Sequence, residues 1–468
     1  MKINLISNIN EDVLQLQDLV NEFISISPSS NKEYFIEINE NNIKIQGNNI
    51  IQKVEERILL THSLRRKRAL YKLVSKLTGV QLPWGILTGV RPIKLVNRLI
   101  REYGLYITEE ILSQDYCLSS EKIELTLQIA QVQKSIISAV KEKSYSLYIG
   151  IPFCETRCSY CSFPTFVKEN TDENRDLYLD ILLDELKESL IFFDQSKLNN
   201  IYIGGGTPTS LNERQLGRLL SEIRKIFQNW DGEFTVEAGR VDTITKDKLN
   251  IMESFGVNRI SINPQSFHAR TLKLVNRYHP ISHMDELVEY AKTLNFIINM
   301  DLILGLPRER KEDYIYSIKR AIELNPQNIT VHALAIKSKS LLKNTAVPEF
   351  RMEDGVLTER EGRLILNKYG YKPYYLYRQK HIFENLENIG YAKGDTASKY
   401  NILMMEENQE ILAIGLGTVS KIKNDVLGKY YRLASEASLI NYLKYGREQI
   451  NKKVCKISEI KAKKNFTL

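Results

Sequence analysis

Long apolar runs, paired cysteines and histidine clusters are all missing from this sequence. No stretch of about 18 apolar residues occurs in the 468, which excludes a membrane-spanning helix. Five cysteines in a chain this long make no disulfide framework. The six histidines (His62, His268, His279, His283, His332 and His381) show no tight ligand spacing, and Cys117 and Cys455 stand alone. A four-ligand zinc site built from two pairs therefore has no second pair to use. The two tryptophans, Trp84 and Trp230, lie far apart. The start MKINLISNINEDV lacks a basic region followed by an apolar one, so export is not expected and a cytoplasmic location is. No low-complexity linker and no solenoid-type repeat is found.

What remains is a globular composition, 43% hydrophobic and 26% charged, long enough for two or three domains. The net charge of +8 suits an anionic ligand without requiring nucleic acid. The densest basic run, Arg65-Arg66-Lys67-Arg68, falls in a helical pattern, and its ordinary meaning is a solvated helix face.

From about 145 to 340 a short β-branched run, a Gly- or Pro-containing loop and a helical segment recur. The expected strands are 147–152, 200–206, 233–239, 259–265, 298–305 and 328–335. Strands alternating with helices predict parallel βαβ units. One expected helix, 174–194, carries an apolar stripe at Leu177, Ile181, Leu182, Leu186 and Leu190. In such folds reactive residues gather where strands end. Here those ends carry the unusual residues: a cysteine loop, Gly204-Gly205-Gly206-Thr207, Glu237, Gln265 and Asp301. Before this region, 34–47 alternates about an Asn-rich turn and predicts a hairpin, followed by helices near 53–78, 91–103 and 120–141. Past about 345 the rhythm is lost. A helix near 354–369, the aromatic run 369–383 and the Gly-rich 410–420 predict a mostly helical C-terminal cap. The expected division is thus an N-terminal α+β domain (1–144), a βα domain (145–345) and a C-terminal cap or substrate domain (346–468).

The stretch YIGIPFCETRCSYCSFP (148–164) holds three cysteines, Cys154, Cys158 and Cys161, spaced Cys-x3-Cys-x2-Cys. Three thiolates on one short loop would leave one iron of a [4Fe–4S] cube without a protein ligand, and an open metal position is the mark of a catalytic site. A chance cluster or a three-cysteine zinc site is the competing reading.

This spacing directly after a first strand resembles the radical S-adenosylmethionine (SAM) superfamily, whose fold is a full or partial (β/α) barrel. The motifs YIGIPFC (148–154), GGGTPT (204–209), VEAG (236–239), NPQSF (263–267), LVNR (274–277) and DLILGLP (301–307) come in the order seen in the oxygen-independent coproporphyrinogen III oxidase family. LPWGILTGVRP (82–92), PYYLYRQK (373–380) and GLGTVSK (415–421) resemble its longer HemZ-type subgroup. The resemblance implies a partial (β/α)6 barrel, a [4Fe–4S] cluster on Cys154, Cys158 and Cys161, and SAM chelated to the open iron. It further implies conversion of coproporphyrinogen III to protoporphyrinogen IX, with a low-potential donor such as flavodoxin or ferredoxin. No nucleic-acid partner and no membrane span are expected.

By motif position Gly205, Gly206, Thr207 and Glu237 would contact SAM, Gln265 and Asp301 its ribose or nearby groups, and Arg277 its carboxylate. Tyr148 would face SAM or substrate. Phe153, Tyr160 and Phe163 would shield the cluster. Arg378, with the aromatic segment 371–377, is the expected place for tetrapyrrole contacts. The chain departs from the shorter relatives in two ways: Gly150 stands where they often carry His, and Ser162-Phe163 follows Cys161 where some have a fourth cysteine. Three alternatives remain open. A haem chaperone carries the same cluster motif and a C-terminal His-Asn-x-x-Tyr-Trp-type segment, where this chain has KYNILMM (399–405) with Tyr400 in place of His. Radical SAM modification or degradation of haem is the second, and RNA modification directed by the basic helix the third.

Overall fold

The computed structural model describes residues 2–7, 13–26, 33–46, 50–55, 57, 60–277, 280–337, 340–343, 354–379 and 382–462. His279 and His381 lie outside them. The chain divides into two compact units, residues 1–132 with 376–387, and residues 133–375 with 388–468. The division thus falls at 132/133 rather than at the expected 144/145, and most of the C-terminal segment belongs to the same unit as the βα region.

In the first unit β1 (Lys2–Ser7) pairs parallel with β2 (Glu33–Ile38), which forms the expected hairpin with β3 (Asn42–Ile45); β4 (Ile51–Lys53) completes the sheet. The helix Val13–Ile26 buries Leu16, Leu19, Val20 and Phe23, one stripe at 3.6-residue periodicity, and the sheet buries Ile36, Ile38, Ile43 and Ile45. Burying each such side chain stabilises by roughly 1.5–3 kcal/mol. The helix His62–Thr78 starts at Thr61, whose hydroxyl accepts from the Leu64 N–H at 3.4 Å, and stops at Gly79, whose φ of 72° suits a residue without Cβ.

The basic run on this helix is not the solvated face its composition suggests. Arg66, Lys67 and Arg68 are buried. Arg68 pairs with Glu55 at 2.6 Å and donates to the Gln114 carbonyl, and Lys67 donates to Thr88 Oγ1 at 2.6 Å. Long basic side chains were drawn inside because carboxylate and carbonyl acceptors wait for them, a condition composition alone does not reveal.

The second unit is built on an eleven-stranded sheet of described residues. Its centre is β5 (Tyr145–Ile151), β6 (Leu198–Gly205), β7 (Glu233–Gly239), β8 (Arg259–Ile262), β9 (Ile297–Leu304) and β10 (Asn328–Ala333). These six lie in chain order, each parallel to the next. The alternation predicts these parallel βα units, and their number is the six that the resemblance implies. β11 (Lys372–Tyr377) and β12 (Asn388–Ala392) extend it beyond β10, with β12 antiparallel to β10. Beyond β5, β13 (Glu410–Ile414) pairs parallel, followed by the antiparallel β14 (Val419–Lys423) and β15 (Tyr430–Ala434). The C-terminal segment therefore supplies sheet edges as well as helices.

Alternation sorts the side chains. Ile201, Ile203, Phe234, Val236, Ile260, Ile298, Met300 and Leu302 are fully buried on one face, which the connecting helices cover. The helix Asp172–Ser189 buries Leu179, Leu182 and Leu186, while Leu177, expected in its stripe, is 44% exposed. The helix Glu213–Ile226 begins with a capping box, Asn212 and Gln215 each accepting from the other's backbone N–H. On the opposite face the register sets Tyr148 beside Tyr202 and Asp301 beside Thr330, and this polar, aromatic face carries the site. No described helix is long and apolar enough to cross a membrane.

Candidate functional site

The cysteine loop leaves the end of β5 and is tied at several points. The Cys154 N–H donates to Phe166 O (3.2 Å), the Ser159 N–H to Val275 O (3.1 Å) and the Cys161 N–H to Cys158 O (3.0 Å). Cys154 and Cys158 are buried and Cys161 partly so, all three as free thiols. Thr207 Oγ1 lies 3.1 Å from Cys154 Sγ. Arg240 Nη1 donates to Cys158 Sγ at 3.4 Å, and Arg277 Nη1 lies 3.8 Å from the same sulfur. Burial pushes the Cys154 thiol up to about 11 and raises that of Cys161. A neutral thiol is therefore the resting form unless a metal holds the thiolate.

Next to this loop runs Gly204–Thr207, at the end of β6. The Gly206 and Thr207 N–H groups donate to Ile151 O and Phe153 O, both at 2.8 Å. Gly205 has φ of 115°, and a Cβ on Gly206 would come within 2.8 Å of Phe153 O and 3.1 Å of Cys154 Sγ. Only glycine allows the two loops to approach so closely.

Two carboxyls stand on β7 and β9, with β8 between these strands. Glu237 is half-buried. Burial pushes its carboxyl up to about 7, against hydrogen bonds from the Tyr202 hydroxyl and the Gly205 N–H. Asp301 is half-buried as well, yet its carboxyl lies below the ordinary range. His332, with Nε2 at 3.8 Å, and hydrogen bonds from neighbouring side chains offset the burial. Asn263 Nδ2 and Asn299 Nδ2 donate to its two oxygens at 2.7 and 2.8 Å. One carboxyl poised near neutrality on β7 and one held ionised on β9 are distinct chemical resources of the same sheet face. Gln265, with φ of 64°, donates its N–H to Asp301 O at 2.8 Å and so lies alongside β9, bridged to Leu302.

Aromatic rings close the group. Tyr148 stacks on Tyr202 at 6.0 Å, and Tyr400 stacks on Tyr202 at 4.3 Å. Phe153 is fully buried, edge-on to Tyr178, and Tyr160 lies against Cys158 and Arg277. Phe163, expected to shield the cysteines, is instead 63% exposed, because the loop turns outward after Cys161.

Thus Tyr148, Gly205, Gly206, Thr207, Glu237, Gln265, Arg277, Asp301 and the three cysteines all occupy the strand-end side of the second unit. Arg378 belongs to the first unit, where it is buried, paired with Glu22 at 3.2 Å, donating to Leu87 O and stacked over Trp84 at 5.3 Å. Tyr371, Tyr374 and Tyr375 are buried as core. Sequence reasoning missed Tyr202, which looks like an ordinary strand aromatic, and Arg240, which follows the VEAG motif directly.

The Radical SAM superfamily model matches residues 148–321. The chain is 37% identical over 369 residues to the oxygen-independent coproporphyrinogen-III oxidase-like protein HemZ of Bacillus subtilis (strain 168), covering 76% of this chain and 74% of that one. It belongs to the HemN/HemZ family of radical SAM proteins. Also similar are the heme chaperone HemW of the same organism, 31% identical over 58% of this chain and 69% of the relative, and the structure of Escherichia coli coproporphyrinogen III oxidase HemN. The latter has TM-score 0.54 and 25% identity, over 69% of this chain and 73% of that one.

The cofactors of a radical SAM protein are a [4Fe–4S] cluster and SAM, and the residues present fit both. Among the described residues no three ligating side chains are arranged to hold a single metal ion, whereas a cube takes its thiolates on separate irons. Two guanidinium groups beside Cys158 offset thiolate charge. Arg277 Nη2 is fixed by Gly239 O and Asn263 O at 2.5 and 2.6 Å, while its buried Nε has no hydrogen-bond partner among the described residues. That orphan donor suits an anionic ligand group such as the carboxylate of SAM.

Proposed function

We propose that this protein carries out the oxygen-independent oxidative decarboxylation of coproporphyrinogen III to protoporphyrinogen IX. Each of two propionates loses a hydrogen atom, one electron and CO2 and becomes a vinyl group. The observation that carries this reading is the extent of the similarity to HemZ, 76% of the chain, well beyond the 148–321 segment shared with the superfamily at large.

The bound cluster and SAM supply the 5′-deoxyadenosyl radical. Cys154, Cys158 and Cys161 would hold the cluster. The Arg277 Nε and the Gly205–Thr207 backbone would receive the methionine part of SAM, with Glu237 on its cationic groups and Asp301 and Gln265 beside its ribose. The Tyr148 and Tyr202 rings would wall the site and exclude water, which strengthens every polar contact inside it. A flavodoxin- or ferredoxin-type protein is the proposed donor, and the excess of basic residues accords with a tetra-anionic substrate.

The similarity to HemW makes haem chaperoning the rival. Tyr400, in the place compared with the chaperone's His, is buried and stacked on Tyr202 at 4.3 Å, so it offers no imidazole to a haem iron. The test is anaerobic reconstitution with iron and sulfide, then reductant, SAM and coproporphyrinogen III, with products read by mass spectrometry. Sequential loss of two CO2 units, abolished in Cys158→Ala, is expected. 5′-Deoxyadenosine formed beside intact coproporphyrinogen would overturn the substrate and turn attention to haem.

A further inference from the structure

We propose that Arg240 is a positioning residue that sets the reduction potential of the cluster through Cys158. The residue is buried, 3% exposed. Nε and Nη2 form a two-pronged pair with Asp242, at 2.9 and 2.5 Å. That pair fixes the plane of the group and leaves Nη1 directed at Cys158 Sγ, 3.4 Å away, and at Thr156 O, 3.3 Å away. All three nitrogens are engaged. Arg277 approaches the same sulfur less closely, at 3.8 Å, and keeps Nε open, which fits it for a ligand instead. Of the loop cysteines, Cys158 thus takes guanidinium contacts at its sulfur from both Arg240 and Arg277, while Cys154 Sγ lies 3.1 Å from the neutral hydroxyl of Thr207.

A fixed cation with an N–H donor to a ligand sulfur favours the more negative, reduced cluster and so raises its potential. Asp242 keeps the donor in place rather than touching the sulfur itself. The inference rests on the family's cluster and not on the tetrapyrrole, so it stands or falls independently of the decarboxylation.

The experiment compares wild type, Arg240→Met and Arg240→Gln after anaerobic reconstitution, with iron content measured first. A redox titration followed by the electron paramagnetic resonance signal of the reduced cluster is then run without SAM or tetrapyrrole. At the wild-type midpoint, Arg240→Met is expected to show a reduced-to-oxidised ratio about tenfold lower, a shift of about 59 mV for one electron. Arg240→Gln, which keeps a donor but no charge, should fall between. A fully loaded Arg240→Met with the wild-type midpoint overturns the proposal, even if its turnover is lost. Should Arg240→Met fail to retain iron, Arg240→Gln decides: a lowered midpoint supports the role and an unchanged one overturns it.

Discussion

The Tyr202 hydroxyl donates a hydrogen bond to Glu237 Oε1, and this bond is what resists the burial of that carboxyl. Burial still prevails and pushes Glu237 to about 7 from an ordinary 4.5. Between those two values an unfolded chain gives up a proton that the folded chain keeps, so this group makes stability fall as pH rises through the window. Glu237→Gln removes the effect. Without SAM, the variant is expected to match wild type near pH 4.5 and to be more stable at pH 8 by up to about 3 kcal/mol. Urea unfolding across pH checks this; parallel curves would refute it.

Tyr202→Phe leaves Glu237 buried without its strongest donor. Hydrogen bonds to charged groups are worth about 1.5–3 kcal/mol, so the carboxyl should move up by about one pH unit or more. The proposed contact with cationic SAM needs the ionised form. Anaerobic calorimetric titration of SAM should therefore give weaker binding at pH 7 than wild type, with affinity recovered at pH 8.5. An equal loss at both pH values would show that the ring, not the hydroxyl, matters.

Gly206→Ala tests the close approach of the two loops. The new Cβ would press on Phe153 O at 2.8 Å and Cys154 Sγ at 3.1 Å, both on the cysteine segment. Backbone cannot yield cheaply, and overpacking of this kind costs about 1–3 kcal/mol. Iron retained per chain after desalting should drop severalfold while the circular dichroism spectrum stays native. Full iron retention would show that the loops are freer than this contact allows.

The parts legible in the sequence are those whose signal is local. β7 begins and ends at the residues expected, and β6 and β9 begin or end within two, because β-branched runs closed by Gly, Pro or Asn carry their own boundaries. The motif residues landed on one side of one sheet because strand ends in parallel βα units converge whatever the loops contain. The pairing of β13 with β5, more than 250 residues apart in the chain, leaves no local trace, and neither does β12 beside β10. Burial of Arg66, Lys67 and Arg68 was hidden for the same reason, since Glu55, Thr88 and the Gln114 carbonyl arrive from other segments. The pairing of Arg378 was hidden too: an Arg among tyrosines suggests an anion site, and its partner Glu22, some 350 residues earlier, leaves no local trace.

Arg378→Ala should accordingly act on stability. It would strip Glu22 of its ion pair, open the Leu87 carbonyl and remove the cation stacked over Trp84. Burial already raises the Glu22 carboxyl against the pull of Arg378, so without that guanidinium it would rise further. Breaking a buried pair on one side typically costs about 3–5 kcal/mol. Thermal unfolding should show an early transition that Glu22→Gln in the same background partly corrects. Wild-type stability with lost tetrapyrrole turnover would instead return Arg378 to substrate binding.

Gly150 marks the point where this chain leaves the pattern of its shorter relatives, and the structure supplies a physical reason. A Cβ there would meet Thr418 Cγ2 at 2.7 Å and the Ile414 and Leu416 carbonyls at 3.6 Å. Thr418 is held in turn by its hydroxyl, which donates to Gly415 O at 2.8 Å. The turn between β13 and β14 thus fills the space a His side chain would need. Gly150→His alone should destabilise by about 1–3 kcal/mol. Gly150→His with Thr418→Gly should recover much of that loss, giving a coupling energy of about 1 kcal/mol or more in a double-mutant cycle. Additive costs would mean that the imidazole finds another path and that Thr418 is not what keeps glycine at this position.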